Sequence, residues 1–232
     1  MSDRTIAITG AFGSLGRVVA EAAAKRGANV AALDVAANPP AGLAERVGPG
    51  ALLLGGVDLS SAEGARRAMA EVKARFGRLD ALVNIAGGFR AQGVDGGDPA
   101  TWDLMFAMNL KTALNASQAA LPHLLESGAG RIVNVGANSA VKAVAGNGAY
   151  AASKSSVHRL TESMADELKT RGVTVNAVLP SVIDTPANRA DMPKAQFDRW
   201  VAPADLAAVI LFLASEESRA VTGALIPVTG GV

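Results

Sequence analysis

Short apolar runs alternate with longer segments of helical period along the whole chain, and this alternation is the feature that most constrains its fold. The runs are Thr5–Thr9, Asn29–Leu33, Ala51–Leu54, Ala81–Asn84, Arg131–Val135, Thr174–Val178 and Leu225–Val228. Because they are apolar at successive positions, they are typical of parallel strands covered on both faces. The predicted helices between them are Leu15–Arg26, Ser61–Phe76, Thr101–Leu125, Ala149–Thr170 and Pro203–Ala214. The sequence therefore predicts an α/β fold, a doubly wound parallel sheet of about seven strands.

Length and charge narrow the class of protein. The chain has 232 residues, half of them hydrophobic, which predicts a single domain over residues 1–232 with a sizeable core. The net charge is +1 without a basic cluster, so we expect no nucleic-acid partner. No leader and no bilayer-length apolar run is recognisable, which predicts a cytoplasmic protein with no membrane partner. Cysteine is absent, and we expect no metal site.

A glycine-rich turn follows the first predicted strand and opens the first predicted helix. It contains Gly10, Gly13, Ser14, Leu15 and Gly16. Glycines let a backbone approach a pyrophosphate closely, and the amino end of the helix supplies free N–H groups and a partial positive charge. The turn therefore predicts a dinucleotide site, although an ordinary glycine-rich turn between strand and helix would look similar.

Two acidic residues follow the next two strands. Asp34 lies eighteen residues after Gly16, where a carboxylate can accept hydrogen bonds from both ribose hydroxyls of an adenosine. The same charge would repel a 2′-phosphate, so NADH is favoured over NADPH. Asp58 follows the third strand and can meet the adenine edge. The alternatives are a solvated turn residue for Asp34 and a turn cap for Asp58.

Tyr150 and Lys154 lie four residues apart and share one face of a predicted helix. Tyr150 is the only tyrosine of the chain. A phenol titrates near pH ~10, and a nearby ammonium stabilises its phenolate and lowers its pKa. The pair therefore predicts a group that gives and takes a proton in catalysis, whereas the alternative is a surface pair without a function.

Taken in order and spacing, these motifs resemble the short-chain dehydrogenase/reductase family over essentially the whole chain. The matching pieces are Thr9–Gly16, Asp58, Asn84–Gly87, Asn109, Tyr150 with Lys154, and Pro180–Thr185. The resemblance implies a Rossmann fold and an enzyme that transfers a hydride between a nicotinamide dinucleotide and a small-molecule substrate. It also implies a homodimer or homotetramer.

The resemblance assigns further roles to single residues. It implies that Asn109 kinks its helix and holds a water that relays protons to Lys154. The adenosine side of the cofactor pocket would include Leu59, Asn84, Ala86 and Gly87, and the nicotinamide side would include Pro180, Ile183 and Thr185.

The chain also departs from the family pattern. The family usually has a carbonyl-binding serine thirteen residues before its tyrosine, where this chain has Ala137, and Ser139 follows two residues later. A methyl group cannot donate a hydrogen bond, so either Ser139 or a water would have to replace the serine. That alternative describes an ordinary alcohol dehydrogenase or ketoreductase. A third alternative is a dinucleotide sensor that has lost turnover.

One branch of the family, dihydropteridine reductase, shares the alanine. It also has a similar Gly-Gly-aromatic run, here ending at Phe89, and a similar segment over residues 181–202, which we expect to form a substrate lid. A flat conjugated electrophile needs less polarisation than a ketone. Our first hypothesis is therefore a flat substrate stacked between Phe89 and Trp200, with Asn188 also in contact.

Overall fold

The computed structural model describes all residues from Met1 to Val232, and its central feature is one parallel sheet of seven strands in the order β3-β2-β1-β4-β5-β6-β7. The strands are β1 (Thr5–Thr9), β2 (Asn29–Leu33), β3 (Leu52–Leu54), β4 (Ala81–Asn84), β5 (Gly130–Val135), β6 (Val173–Pro180) and β7 (Leu225–Val228). The strand order reverses between β1 and β4, and the crevice at such a switch point is where ligands bind. The predicted fold is confirmed.

The helices connect the strands and cover the sheet. They are α1 (Ser14–Lys25), α2 (Leu43–Val47), α3 (Ala62–Phe76), α4 (Ala100–Met105), α5 (Thr112–Glu126), α6 (Gly148–Leu168), α7 (Pro186–Asp191) and α8 (Pro203–Leu213). A π-helical turn at Phe106–Lys111 joins α4 to α5. Short 3₁₀ turns lie at Asn138–Ala140, Phe197–Arg199 and Glu216–Ser218. None of these helices is both long enough and apolar enough to cross a lipid bilayer.

The core has two parts because successive strand residues point to opposite faces of the sheet. In β1, Ile6 and Ile8 pack with α1 and α8, whereas Ala7 packs on the other side with α3, α5 and α6. All five residues of β1 are buried, as expected for the centre of a covered sheet. This packing fixes the carboxyl edge of the strands, where the loops that follow β1, β4, β5 and β6 meet.

The structure differs from the predicted elements mainly in the connections. The predicted helix over Thr101–Leu125 is interrupted by the π turn, and β6 extends to Pro180 because its last residues pair with β7. The short helices α2 and α7 were not predicted. Each has only five or six residues, too few for a helical period to be recognisable.

Candidate active site at the carboxyl edge

The glycine turn after β1 forms a cradle that side chains would fill. A Cβ at Gly16 would lie 2.1 Å from the Gly10 carbonyl oxygen, and Gly10 itself has a φ of +62° against the backbone of Ala86. Gly13 precedes α1 and provides no side-chain cap. The first N–H groups of α1 are therefore free of a capping side chain, and they can bind a phosphate oxygen.

A cavity of about 650 Å³, here called cavity A, lies beside this cradle. It is lined by predicted cofactor residues from four loops: Gly10, Gly13, Ser14, Leu15, Gly16, Asp34, Asp58, Leu59, Ala86 and Gly87. The Asp34 carboxylate accepts hydrogen bonds from the N–H groups of Phe12 and Ala36, both at 2.9 Å. These bonds hold its oxygens at the cavity wall. No lysine or arginine lines cavity A.

Asp58 makes the turn-capping interaction considered for it, and its contact with adenine remains a prediction. Its Oδ1 accepts from the Ser60 hydroxyl at 2.6 Å and from the Ser60 N–H at 2.9 Å, and these bonds hold the pKa of Asp58 below its usual value. The residue thus caps the turn before α3, and its side chain still lines cavity A.

A second cavity of about 650 Å³, cavity B, contains the predicted proton-handling pair. Its predicted members are Leu15, Gly87, Phe89, Ala137, Ser139, Tyr150, Lys154, Pro180, Ile183 and Asn188. Leu15, Ile85 and Gly87 line both cavities. The two cavities therefore adjoin along the carboxyl edge, as the two halves of an extended dinucleotide require.

The electrostatics of the pair differ from the expected arrangement. Burial raises the pKa of Tyr150 to about 12 and lowers the pKa of Lys154 to about 8. The Lys154 ammonium donates to the carbonyl of Val135 at 2.8 Å. The predicted lowering of the phenol pKa by Lys154 is thus wrong for this structure, because desolvation dominates and the ammonium is directed to a backbone carbonyl.

Asn109 lies in the π turn and is 1 % exposed. Its Oδ1 accepts from the Gly88 N–H at 3.0 Å, while its Nδ2 donates to the Gly88 carbonyl at 3.1 Å and to the Ser153 hydroxyl at 3.0 Å. The side chain thus joins the loop after β4 to α6, the helix that carries Tyr150. The π turn is the predicted irregularity of the helix, and such turns are frequent at functional sites.

The backbone at Ala137 is held by a histidine that the sequence analysis did not single out. His158 is 3 % exposed, and its Nε2 accepts the Ala137 N–H at 3.3 Å. Burial lowers the pKa of His158 to about 4, with smaller effects from Arg159 and Lys154. The ring therefore stays neutral at physiological pH and remains an acceptor. A Cβ at Gly136 would lie 2.5 Å from Nε2, so this approach requires glycine.

Two polar side chains follow Ala137 in the wall of cavity B. Asn138 and Ser139 are both half-buried, and neither side chain makes a hydrogen bond within the protein. Their donors are therefore available to a substrate oxygen. Asn138 was missed by the sequence analysis, although it directly follows the alanine that occupies the serine position.

Four predicted site residues line neither cavity. Asn109 acts through the contacts described above. Asn84 is buried and donates to Ser117 and Asn134 at 3.0 and 2.8 Å, so it supports the strands from within the sheet. The Thr185 hydroxyl accepts the Asn188 N–H at 3.2 Å and caps α7. Asn84 and Thr185 therefore have structural roles in the folded chain, and their direct contacts with a cofactor remain predictions.

The structure differs most clearly from the predicted substrate contacts at Trp200. It is 8 % exposed, and its ring packs against Phe197 with 4.8 Å between ring centroids. This contact lies within the segment 181–202, and Trp200 does not line cavity B. Phe89, in contrast, is 57 % exposed and meets the Tyr150 ring edge-on at 5.0 Å. Only one of the two predicted stacking aromatics therefore lies at the site.

The segment 181–202 forms one side of cavity B. Ser181, Val182, Ile183, Asn188, Asp191 and Met192 line the cavity from this segment. Asn188 donates to the Ile183 carbonyl at 2.8 Å and fixes the fold of the segment locally. Its position over the site is the one expected of a lid, and its motion remains a prediction.

Comparison with known proteins identifies the family of the chain. A family model described as short chain dehydrogenase matches residues 4–196. The chain belongs to the short-chain dehydrogenase/reductase family. It is therefore an oxidoreductase by family, and the resemblance predicted from its motifs is confirmed.

Several members of the short-chain family resemble the chain over its full length. Nodulation protein G of Azospirillum brasilense is 36 % identical over 100 % of this chain and 99 % of its own. A 3-oxoacyl-[acyl-carrier-protein] reductase of Thermotoga maritima is 33 % identical, with 97 % and 96 % covered. Carveol dehydrogenase from Mycobacterium avium, solved in complex with NAD, superposes with a TM-score of 0.89 at 28 % identity and covers 100 % of this chain and 98 % of its own.

Proposed function

We propose that the protein catalyses the NAD(H)-dependent interconversion of a small ketone and its secondary alcohol. The observation that carries this proposal is the arrangement in cavity B, where the Tyr150 phenol shares the cavity with the unpaired donors of Asn138 and Ser139. A bound nicotinamide dinucleotide would supply or accept the hydride. The remaining chemistry consists of orienting a carbonyl, polarising it and delivering one proton.

The residues of the chain suit the proton transfer in the reducing direction. With its pKa raised to about 12, Tyr150 is fully protonated at pH 7 and can donate to an oxygen that becomes basic as the carbonyl is reduced. Ser139 or Asn138 would donate a second hydrogen bond to the same oxygen, as the missing serine does in the family pattern. Asn109 positions both the loop at Gly88 and the start of α6.

The preference for NAD over NADP rests on cavity A. The Asp34 carboxylate lies in its wall, and no cationic side chain lines it. A 2′-phosphate at the adenosine ribose would therefore meet a negative charge without a compensating partner. The ribose hydroxyls of NAD would instead donate to the remaining lone pairs of Asp34.

A flat conjugated substrate, such as a quinonoid dihydropterin, is the second candidate. Phe89 supports it, since the ring is exposed at cavity B and lies 5.0 Å from the Tyr150 ring. A planar heterocycle could stack on the Phe89 face while receiving the Tyr150 proton. Because Trp200 is buried, the second predicted stacking partner is missing, and a small ketone is therefore the favoured substrate class.

The test is steady-state oxidation of NADH with a panel of small ketones and with quinonoid dihydropterin. We expect ketone turnover, a loss of two to four orders of magnitude in kcat for Tyr150→Phe, and a loss of about tenfold or more for Ser139→Ala or Asn138→Ala. Ser163→Ala, in the exposed part of α6, is the matched control. Turnover of the pterin alone would replace the first candidate by the second. Tight NAD binding without any turnover would indicate a sensor.

We also propose that the protein is a homodimer or homotetramer. The support is membership of a family whose enzymes are generally oligomeric, together with the small residues of α5 and α6, which permit close helix contacts. Light scattering on the purified protein would determine the number of subunits, and a monomer at micromolar concentration would refute the proposal.

A further inference from the structure

A third cavity lies at the opposite, amino-terminal edge of the sheet. This cavity C has a volume of about 440 Å³ and is lined by several charged and hydroxyl side chains. Its wall includes Gly128, Ala129, Arg131, Lys169, Thr174, Glu216, Arg219 and Thr222. It shares no residue with cavities A and B, and the proposed oxidoreductase chemistry does not use it.

Arg131 is the central feature of cavity C. It is only 4 % exposed. Its Nε donates to the Ser215 carbonyl and its Nη1 to the Gly130 carbonyl, both at 2.9 Å. Its Nη2 has no acceptor within the protein. Buried arginine is normally paired with an anion, because an uncompensated buried charge is costly.

Each nearby carboxylate pairs directly with a cation other than Arg131, although Glu216 also exerts a smaller attraction on the Arg131 charge. Glu216 accepts from Arg4 at 3.2 Å, and Asp166 pairs with Lys169 at 2.5 Å. Burial is the main cause that lowers the pKa of Arg131, and the positive charge of nearby Arg4 is the second. Arg219 makes no ion pair. The cavity therefore has an excess of positive charge over the available carboxylates.

Two threonines also line the wall, and their hydroxyl groups differ in accessibility. The Thr222 Oγ1 accepts the Val175 N–H at 3.2 Å, which leaves its own hydrogen free to donate. Thr174 is 9 % exposed, and its buried hydroxyl makes no hydrogen bond. A buried polar atom without a partner is uncommon in a folded protein, and it often marks a bound water or ion. It is an observation independent of the arginine charges.

We infer that cavity C binds a phosphate group, either inorganic phosphate or a phosphomonoester. The Nη2 of Arg131 and the guanidinium of Arg219 would provide charged donors, and the Thr222 hydroxyl would provide a neutral one. Guanidinium groups match the geometry of phosphate oxygens and bind them with charge-assisted hydrogen bonds. The bound dianion would neutralise the charge that the protein leaves on Arg131.

The experiment is calorimetric titration of the full-length protein with inorganic phosphate at constant ionic strength, with chloride as the compensating anion. We expect Arg219→Gln to raise the phosphate Kd about tenfold, as loss of one charge-assisted bond predicts. Arg66→Gln is the matched control, since Arg66 is exposed on α3 and pairs with Glu63. It should leave the Kd unchanged.

Other results would overturn the inference. Absence of phosphate binding would do so directly. Equal weakening by Arg219→Gln and Arg66→Gln would show general charge screening. An unchanged Kd in Arg219→Gln would place the phosphate elsewhere, for example at the cradle of Gly10 and Gly16. Because no cofactor or substrate is present, the result is independent of the proposed oxidoreductase activity.

Discussion

Replacing Lys154 by methionine should change the pH dependence of stability by an amount that the structure defines. The ammonium is almost completely buried, and burial lowers its pKa from 10.5 to about 8. Between these values the unfolded chain binds a proton that the folded protein does not bind. The free energy of unfolding therefore rises with pH across this window.

The expected size follows from the two pKa values. One pKa unit corresponds to about 1.4 kcal/mol, so Lys154 should contribute an increase of about 3 kcal/mol between pH 7.5 and 10.5. The measurement is urea unfolding at several pH values, followed by tryptophan fluorescence, for the natural chain and for Lys154→Met. Subtracting the two curves cancels the other titrating groups, including Tyr150.

Lys142→Met provides the control, because Lys142 is exposed in the folded protein. Its difference curve against the natural chain should stay flat over the same range. A flat curve for Lys154→Met as well would refute the reasoning, since it would mean that Lys154 reaches water in the folded state. A falling curve would show that an unrecognised anion stabilises the ammonium.

Three further predictions concern single residues. Asp34→Ala should lower the ratio of kcat/KM for NADH to that for NADPH by about tenfold or more, because it removes the charge that opposes a 2′-phosphate. An unchanged ratio would contradict the assignment of Asp34 as the residue that favours NADH. His158→Leu should lower kcat by about tenfold with little change in the KM for NADH, since it leaves the Ala137 N–H without its acceptor; a change in the KM for NADH alone would argue against this role. Gly16→Ala should abolish dinucleotide binding measured by fluorescence titration, because its Cβ would collide with the Gly10 carbonyl; retained affinity would disprove the cradle.

The regular elements were largely predictable because the five inner strands of the sheet are buried almost throughout, which gives them continuous apolar sequences. The predicted limits of β1, β2, β4 and β7 agree with the structure to the residue. β6 was predicted to end at Val178, whereas it continues to Pro180, since its last residues are held by pairing with β7. Such pairing depends on a strand more than forty residues away, which local periodicity does not report.

The site was predictable where a motif implies a backbone geometry, as at Gly10 and Gly16, and less so where a side chain has two possible environments. Trp200 is apolar and flat, which suits both a substrate pocket and a packed core, and the structure shows the core. His158 gave no signal, because its role depends on the distance between α6 and the end of β5. The direction of the Lys154 ammonium is likewise set by the position of the Val135 carbonyl.

The solitary tyrosine makes the phenol of the proposed catalytic site directly visible by spectroscopy. Because Tyr150 is the only tyrosine in the chain, any phenolate absorbance in the native protein comes from cavity B, without isotopic labelling or assignment. A pH titration of the native chain thus reads the ionisation of this one group. Repeating it with a dinucleotide or a substrate analogue would report how each ligand changes the acidity of the phenol.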